Sequence, residues 1–491
     1  MKLNRELGTA RVARVALLFV TLMTVGSNSL KAQSQEPQKP GTDVQQLKDR
    51  VNQLEQTVEE LKAELKAVMS AKERTDVASA EKIAAPAGKT TTPTTAPGTA
   101  APDETAKPGG GQATGESTFT VYGFAMLDMG YQFKQNDPDW FDVLRVTKLP
   151  SHKDEFAPNG KVYYGVRQSR FGVKSSTPTK FGELKTQFEF ELFGTGVDAG
   201  QTTFRLRHAY GELGKFGAGQ YWSPFMDIDV FPNSLEYWGP TGMVFFRNVQ
   251  VRWMPLKGKN AVTVALERPG ASGDQGRFAD RIEFSGVKPK FDLPDVSANV
   301  RFTRNWGHFQ AAGIVRRIRW IDTVADNIDV DGRVTGAGVN LTNTLKFSKN
   351  DTGRFAFTYG KGIENYMNDS PVDVGIGLNP GGGPRRPFRG VALPVTAMVA
   401  FLDHNWNKKF STAVGYSFQN IDNSIGQAAN AFHRGHYALG NLLYYPWDNV
   451  MVGGEVQWGR RENFLDGFHS DDVHIQFSFK YNFSKEFKFN Q

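Results

Sequence analysis

The sequence contains no cysteine, which excludes a disulfide framework, a Cys-ligated metal site and a catalytic thiolate. It also lacks long hydrophobic runs: beyond the N-terminus, no apolar segment approaches the ~18 residues of a membrane-spanning helix. The formal net charge is only +7 over 491 residues, which is too small a bias to indicate a nucleic-acid partner. The lack of apolar runs does not exclude a membrane protein, because a strand of a membrane barrel turns only alternate side chains towards lipid.

The N-terminus has the pattern of an export signal. Basic residues from Lys2 to Arg14 precede an apolar segment at 15–25, and Ala32 ends an acceptable cleavage site. A membrane anchor is the alternative, but the apolar segment is short for that role. We therefore predict a signal peptide at 1–32 and a protein that leaves the cytoplasm.

A heptad pattern follows at 43–70. Its apolar positions alternate at steps of three and four, and they are Val44, Leu47, Val51, Leu54, Val58, Leu61, Leu65 and Val68. This spacing predicts an α-helical coiled coil, with a single amphipathic helix as the alternative. Mostly Val at a with Leu at d favours two strands, but a trimeric domain attached to it could impose three.

Residues 71–117 are rich in Ala, Thr, Pro, Gly and Lys, as in TTTPTTAPGTAAP. Such a composition cannot bury a core, so we predict a flexible linker. The remainder, 118–491, then forms the main domain.

Strict alternation marks the end of this domain. The segment from Val473 to Phe483 reads VHIQFSFKYNF, with apolar residues at every second position. In a strand, these residues share one face and the polar ones share the other. One such segment would suit a soluble sandwich equally well, so the number and spacing of similar segments decide between the two folds.

We find sixteen such candidate strands after residue 117. They begin near Phe119, Lys161, Glu183, Phe204, Ala218, Val249, Ala261, Val296, Phe309, Arg333, Arg354, Val395, Phe410, His436, Met451 and Val473. Tight turns such as LGKFG and NWGH alternate with long polar connections such as 134–160 and 361–393. Long loops at one end and short turns at the other are typical of a membrane barrel, and sixteen strands leave an aqueous interior.

The distribution of charge along the strands agrees with a barrel. In strand three, Glu189 and Glu191 alternate with apolar residues, and because charges facing lipid are costly we expect them to face water inside the barrel. Strand thirteen, from Phe410, alternates in the same way. Strands nine and twelve, from Phe309 and Val395, alternate less cleanly, so their register stays open.

Two segments carry a family resemblance. Ser169–Lys174 reads SRFGVK and Arg207–Leu213 reads RHAYGEL; they resemble the S-R-x-G-x-K and R-x-A-x-G-x-L strands of general bacterial porins, whose third external loop folds into the pore. With the heptads and the loop MDIDVFPNSLEYWGP, the chain resembles the DcaP-like porins, trimeric outer-membrane channels associated with dicarboxylic acids. The resemblance covers about Val44 to Phe483. One departure is SKEFKFNQ after Phe483, where porins usually finish on a strand-terminal Phe.

Strand four carries two neighbouring arginines. If the even-numbered positions from Phe204 to Tyr210 form one face, Arg205 and Arg207 share the opposite, luminal face. In a packed core such arginines would need carboxylate partners. In a wet lumen they raise the local concentration of anions and bind carboxylates bidentately.

The resemblance implies that Arg170 and Arg207 belong to the basic wall of a constriction. The alternative for the strand-four arginines is that they pair with Glu189 and Glu191 and brace the wall. Arg301 is a further candidate for the anion path, because it is in phase with polar residues of its strand. The cluster Arg316, Arg317 and Arg319 is a weaker candidate, since it could equally lie at the rim of the barrel.

The loop from Trp222 to Asn248 is rich in aromatic residues, which is unusual for an exposed loop. We expect it to fold into the barrel and narrow it, with a trimer contact or a lid at the mouth as the alternative. Its carboxylates, on Asp227, Asp229 and Glu236, are then expected to face the arginines and set a transverse field across the opening.

Other motifs give little indication of chemistry. His433 and His436 could bind a metal, but with no acid or cysteine near them we interpret them as loop residues. None of the Gly-rich segments joins a strand to a helix, so none predicts a phosphate loop. No Ser/His/Asp set can be placed on one wall. We therefore expect no enzyme, no metal and no cofactor.

Together these patterns predict an all-β protein: a sixteen-stranded antiparallel transmembrane β-barrel at 118–491, preceded by an α-helical coiled coil. We expect a homotrimer in the lipid of the bacterial outer membrane, with its N-terminal extension in the periplasm and no nucleic-acid partner. The predicted function is passive diffusion of small hydrophilic solutes, favouring anions such as dicarboxylates. Two alternatives stay open: a barrel that tethers the envelope through contact of its coiled coil with peptidoglycan, and an outer-membrane hydrolase.

Overall fold

The structure is a computed structural model that describes residues 115–490. The signal peptide predicted at 1–32, the coiled coil predicted at 43–70 and all but the last three positions of the predicted linker lie outside these residues. Within the described range, no helix is long and apolar enough to cross a membrane.

The described chain is built of β-strands joined by loops. The strands are β1 (Glu116–Gln132), β2 (Lys161–Gly165), β3 (Arg170–Thr179), β4 (Gly182–Phe193), β5 (Thr202–Leu213), β6 (Phe216–Trp222), β7 (Arg247–Leu256), β8 (Asn260–Glu267), β9 (Gly273–Asp274), β10 (Val287–Pro289), β11 (Asp295–Arg304), β12 (Gly307–Asp322), β13 (Gly332–Lys346), β14 (Asp351–Lys361), β15 (Val374–Leu378), β16 (Phe388–Ala392), β17 (Pro394–Asn405), β18 (Phe410–Ile421), β19 (Phe432–Trp447), β20 (Val450–Asn463) and β21 (His469–Asn490). Short 3-10 turns lie in the loops at Pro138–Trp140, Val146–Lys148, Gly196–Asp198, Ile228–Val230, Gly276–Phe278, Ile282–Phe284 and Glu364–Tyr366.

Apart from β9, β10, β15 and β16, these strands close into one barrel with sixteen positions. β2 and β3 share one position, because both pair with β1 on the same side. The barrel closes where β1 pairs with β21, from Glu116 opposite Asn490 to Gln132 opposite His474. The predicted sixteen-stranded antiparallel barrel is confirmed, and every predicted strand start lies inside an observed barrel strand. The closing strand continues past Phe483, which accounts for the extra residues at the end of the chain.

Two small additions lie among the long loops. β9, β15 and β16 form a separate three-stranded sheet. β10 adds a short pairing to the outer end of β12, at 287–289. Both sit at the end of the barrel where connections such as 133–160, 223–246 and 362–393 are long, while the other end has only short turns. This asymmetry places the long loops outside the cell and the turns in the periplasm.

The two faces of the closing strand behave as predicted. Phe477 and Phe479 are exposed by 55% and 47% on the outer face, whereas Gln476 and Ser478 are at most 2% exposed on the inner face. The apolar face therefore meets lipid, and the polar face lines the interior.

One part of the inner wall is apolar, so the prediction of a water-filled interior is wrong for that part. On β12 and on β17 to β19 the inner face carries buried apolar residues, among them Ile314, Val399, Phe401 and Leu439. They belong to one apolar cluster with residues of the loop 223–246. A loop inside the barrel needs apolar partners, so β12 and β17 are apolar on both faces. This explains why strands nine and twelve alternate poorly in the sequence.

Gly307, at the turn between β11 and β12, provides a test of this fold. Its φ is +130°, and a Cβ there would lie 1.8 Å from the backbone oxygen of Thr344. We expect Gly307→Ala to lower the free energy of unfolding by about 2 kcal/mol or more. Urea unfolding in micelles, followed by tryptophan fluorescence, measures this change.

Gly440→Ala is the matched control, because its φ is not positive and its Cβ would meet nothing closer than Val414 Cγ2 at 3.9 Å. A Gly307→Ala protein as stable as this control would contradict the assigned turn.

Candidate functional site: a constriction inside the barrel

Residues 223–246, here called the constriction loop, fold into the barrel after β6 and follow its inner wall. Three successive carbonyls, on Pro224, Phe225 and Met226, accept hydrogen bonds from amide side chains of the wall. The donors are Asn299, Asn340 and Gln310, each at 2.9 Å. Side-chain amides therefore satisfy buried carbonyls that water would otherwise solvate.

The apex of the loop is fastened in the same way to β20 and β21. The backbone N–H groups of Leu235 and Glu236 donate to the carboxylate of Glu455 at 2.7 and 3.0 Å. The carbonyl of Leu235 accepts from Gln168 at 2.9 Å and from Gln476 at 3.3 Å. The predicted infolding of the loop is thus what the structure has, with anchors spread from β11 round to β21.

The carboxylate of Asp227 anchors the loop through contacts with three residues of the wall. It contacts His308 Nε2 at 2.6 Å and accepts hydrogen bonds from Thr342 Oγ1 at 2.7 Å and Arg301 at 3.1 Å. Burial alone would raise the pKa of Asp227, but the hydrogen bond and charge of His308, with Arg301 and Thr342, hold it well below its usual range. The side chain faces these partners and not the arginines of strand four, so it fastens the loop to the wall.

Asp229 lies beside Asp227 and is partly accessible, with 43% of its side chain exposed. It pairs with Arg301, whose guanidinium therefore bridges both loop carboxylates. The side chain of Arg301 is itself 25% exposed. On the other side, Arg354 donates to the carbonyl of Asp229 and pairs with Asp403.

Glu236, the third predicted loop acid, is buried in the apex. It accepts from the backbone N–H of Trp238 at 3.0 Å and of Gly239 at 2.5 Å. Burial raises the pKa of Glu236 well above its usual range, and the neighbouring Glu455 raises it further. Glu236 therefore stabilises the turn of the loop and does not present its carboxylate to the opening.

The basic wall consists of arginines gathered around Glu189 and Glu191, and Tyr237 of the constriction loop donates a hydrogen bond to Glu191. Arg207 donates to Glu189 at 2.5 Å and to Glu191 at 2.6 Å. Arg170 lies 3.7 and 3.6 Å from the same two carboxylates, and Arg205 lies 3.5 Å from Glu191. These are the bracing contacts that the sequence left as an alternative.

Arg247, at the start of β7, is a fourth arginine of this wall, and the sequence did not predict it. It lies 3.6 Å from Glu191 and its guanidinium stands 5.2 Å over the ring of Trp222. By alternation it belongs to the outer face of β7, together with the exposed Val249 and Val251. It reaches the interior because it sits where the constriction loop rejoins the barrel, a position that periodicity does not reveal.

The predicted faces of strand four are wrong after Leu206. Glu191 lies opposite Arg205 and Phe190 opposite Leu206, but Glu189 lies opposite His208, so a register shift occurs at Arg207. A β-bulge of this kind inserts one residue and reverses the alternation beyond it. His208 and Tyr210 are therefore buried, at 2% and 7% exposure, and not on the outer face. Arg207 and His208 both point inwards.

The wall holds more positive than negative charge. Four arginines surround two glutamates, and the Nε of Arg170 and the Nη1 of Arg205 are buried without a hydrogen-bond acceptor among the described residues. The side chain of Arg205 is 29% exposed, against 12% for Arg170 and 5% for Arg207. Arg205 is therefore the most accessible of the three predicted wall arginines.

The three weaker arginine candidates of β12 do not lie on the same face of the barrel wall. Arg316 is buried inside the barrel and pairs with Asp295 at 2.9 Å and Asp373 at 2.7 Å. Arg317 and Arg319 have the phase of the exposed, outward-facing Val315 and lie near the outer rim. The cluster is thus divided between the two faces of β12.

The interpretation of His433 and His436 as loop residues is wrong, because both lie on β19, where they have local partners. His433 Nδ1 lies 2.9 Å from the carbonyl of Ile421, and His436 Nδ1 lies 2.5 Å from the hydroxyl of Tyr416. Asp227, Asp229 and His308 do place ligand atoms within 4.8 Å of one another. Arg301 pairs with both of these carboxylates, however, and supplies the charge that a metal ion would bring.

The chain is similar to a known protein family and to solved structures of outer membrane proteins. A family model described as DcaP outer membrane protein matches residues 118–483. The crystal structure of the outer membrane channel DcaP of Acinetobacter baumannii is similar with 21% identity and a TM-score of 0.62, covering 75% of this chain and 97% of that chain. At this identity the likeness shows the fold.

Two further solved structures are similar over 75% of this chain. One is OmpTdeltaL8, a loop L8 deletion mutant of OmpT, an outer membrane protein of Vibrio cholerae, with 14% identity, a TM-score of 0.46 and 99% of that chain covered. The other is an anion-selective porin from Comamonas acidovorans, with 10% identity, a TM-score of 0.49 and 100% of that chain covered. No curated protein matches the chain.

The anchoring role of Asp227 leads to a prediction. Asp227→Ala leaves His308, Thr342 and Arg301 without their shared partner, so we expect the free energy of unfolding to fall by about 3–5 kcal/mol. The loop should also leave the wall, and single-channel recordings in planar bilayers should show a changed and noisier conductance.

Asp280→Ala, an exposed loop aspartate for which the structure has no ion pair among the described residues, serves as the control. Wild-type stability and conductance in Asp227→Ala would contradict the anchoring role.

Proposed function

The chain belongs to the DcaP outer membrane protein family and lies in the bacterial outer membrane as a barrel of the porin fold, and from this membership and the site we propose that it is a channel for passive diffusion of small hydrophilic solutes. We further propose that it favours anions, and among them dicarboxylates. No catalytic step belongs to this function.

The observation that carries the proposal is the excess of arginine at the constriction. Around Glu189 and Glu191 stand four guanidinium groups, so two positive charges have no carboxylate of their own. Low-dielectric walls focus the field of such charges into the opening. An anion in the lumen is therefore attracted to this wall, and a cation is repelled by it.

The arginines of the wall have different roles, structural for Arg207 and solute-binding for Arg205. Arg207, 4% exposed and bonded to both glutamates, holds the others in place. Arg205 is more exposed, with 29% of its side chain accessible. Guanidinium binds a carboxylate in a planar, bidentate way, and it carries its charge at any physiological pH.

Arg301 offers a second accessible guanidinium on a different part of the wall, beside Asp229. Two separate cationic positions suit a solute that carries two carboxylates. Conduction also requires weak binding, since a solute must leave as readily as it enters. Pairing of both arginines with protein carboxylates weakens their hold on the solute in the way that this requires.

Assembly is part of the proposal. The family resemblance supports a trimer of barrels surrounded by outer-membrane lipid. The heptads at 43–70 would then form a periplasmic coiled coil that joins the subunits and reaches towards peptidoglycan, connected through the linker at 71–117.

The test is the reversal potential of the purified protein in a planar bilayer under a KCl gradient. We expect the wild type to prefer chloride and the double variant Arg205→Ala/Arg301→Ala to lose most of that preference, because the two accessible luminal charges are gone. Succinate should reduce the chloride current of the wild type more than that of the double variant.

Arg460→Ala is the matched control. Arg460 pairs with Glu462 at 3.0 Å on the outer face of β20, so its removal should leave selectivity unchanged. Cation preference in the wild type would contradict the anion proposal. A protein without conductance would instead favour the tether or the hydrolase.

A further inference from the structure

One stretch of the outer face carries a row of basic side chains near the extracellular rim. Arg319 of β12 lies directly opposite Arg333 of β13. The backbone N–H of Lys290, just after β10, donates to the carbonyl of Arg319 at 2.9 Å. The three residues therefore stand side by side on neighbouring strands, and Arg317 follows two residues below Arg319 on the same face.

The row is poorly compensated. Asp292 pairs with Arg319 at 3.0 Å and with Arg317 at 3.7 Å, so one carboxylate serves two arginines. Lys290 and Arg333 are exposed, and neither side chain makes an ion pair or hydrogen bond within residues 115–490. Asp331 lies just before β13, two residues ahead of Arg333, and accepts a hydrogen bond from the backbone N–H of Asp322. Exposed, unpaired donors on one face suit a ligand with several anionic oxygens.

The position of the basic row along the barrel axis shows which layer of the membrane surrounds it. Directly below it, on the same outer face, come Val315, Val339 and Tyr359, which are exposed by 56%, 47% and 54%. These belong to the apolar band that meets lipid. The basic row therefore lies at the boundary between hydrocarbon and headgroups, at the end of the barrel that carries the long loops.

A groove of about 690 Å³ on the outer face crosses β11 to β14 and reaches β17 below this boundary. Its floor is made of small residues, Ala298, Gly313 and Ala337, and its sides are made by the larger side chains of the band. Lys361 stands at its upper end. The groove has the shape and apolar lining that an acyl chain would fill, directly beneath cationic groups.

We propose that this face of the barrel binds the lipopolysaccharide of the outer leaflet. The phosphates of its lipid A headgroup would contact Lys290, Arg319 and Arg333, and one acyl chain would lie in the groove floored by Gly313. Arg binds phosphate bidentately, and basic clusters at a membrane surface attract anionic headgroups. This inference concerns the lipid-facing surface and does not depend on the solute that the lumen passes.

The experiment counts lipid A molecules bound to the purified, detergent-solubilised protein by native mass spectrometry. Lipid A with its phosphates, dephosphorylated lipid A and inorganic phosphate are the three probes. We expect the wild type to bind phosphorylated lipid A best. The variant Arg319→Glu/Arg333→Glu should bind it with an affinity at least about tenfold lower. Gly313→Leu should also lower binding, by filling the groove.

Gly313→Leu is a usable variant because a Cβ there would meet nothing closer than the oxygen of Gly338 at 3.8 Å. The matched control is Lys346→Glu/Lys349→Glu, two exposed lysines at the periplasmic end of the same β13–β14 hairpin, which should bind lipid A as the wild type does. Arg319→Gln/Arg333→Gln replaces the charge-reversal variant if the latter fails to fold.

Three results would overturn the proposal. The charge-reversal variant could retain as much lipid A as the wild type. Inorganic phosphate could displace lipid A completely, which would make the row a site for free phosphate. Finally, Gly313→Leu could change the number of subunits and leave lipid binding intact, which would make the groove a contact between copies of the chain.

Discussion

Hydrogen bonding of the backbone without water is the constraint on which the whole structure depends. Lipid offers no partner to an N–H or C=O group, so a sheet in a membrane must close on itself. The pairing of β1 with β21 over the full length of β1 provides that closure. Once the sheet is closed, its inner face gives polar and charged side chains at membrane depth a surface away from lipid, and the proposed channel chemistry lies there.

A loop placed inside such a barrel meets the same constraint. The constriction loop brings its own backbone groups into the interior, and Asn299, Gln310 and Asn340 satisfy three of its carbonyls. Its apolar residues require apolar partners, which β12 and β17 to β19 supply. The interior therefore has an apolar sector, against which the apolar residues of the loop pack, and a charged sector around Glu189 and Glu191, which the loop contacts through Tyr237.

Alternation along the chain was enough to predict the barrel, because a period of two over sixteen segments repeats one physical rule. It also predicted the inward-facing glutamates of β4. It failed where that rule is broken locally: a bulge at Arg207 turns His208 inwards, and Arg247 reaches the interior from the end of β7. The roles of Asp227 and Glu236 as anchors could not be predicted either. Their partners are up to 219 positions away in the sequence, and only the fold brings them together.

The most direct test of the proposed preference for dicarboxylates is the flux of labelled solutes into vesicles that contain the purified protein. Succinate, 1,4-butanediol and doubly protonated 1,4-diaminobutane have the same four-carbon length and differ in charge. We expect succinate to enter fastest, the diol more slowly and the dication slowest, because the arginine wall attracts anions and repels cations. Entry of the dication as fast as succinate would contradict the proposed preference.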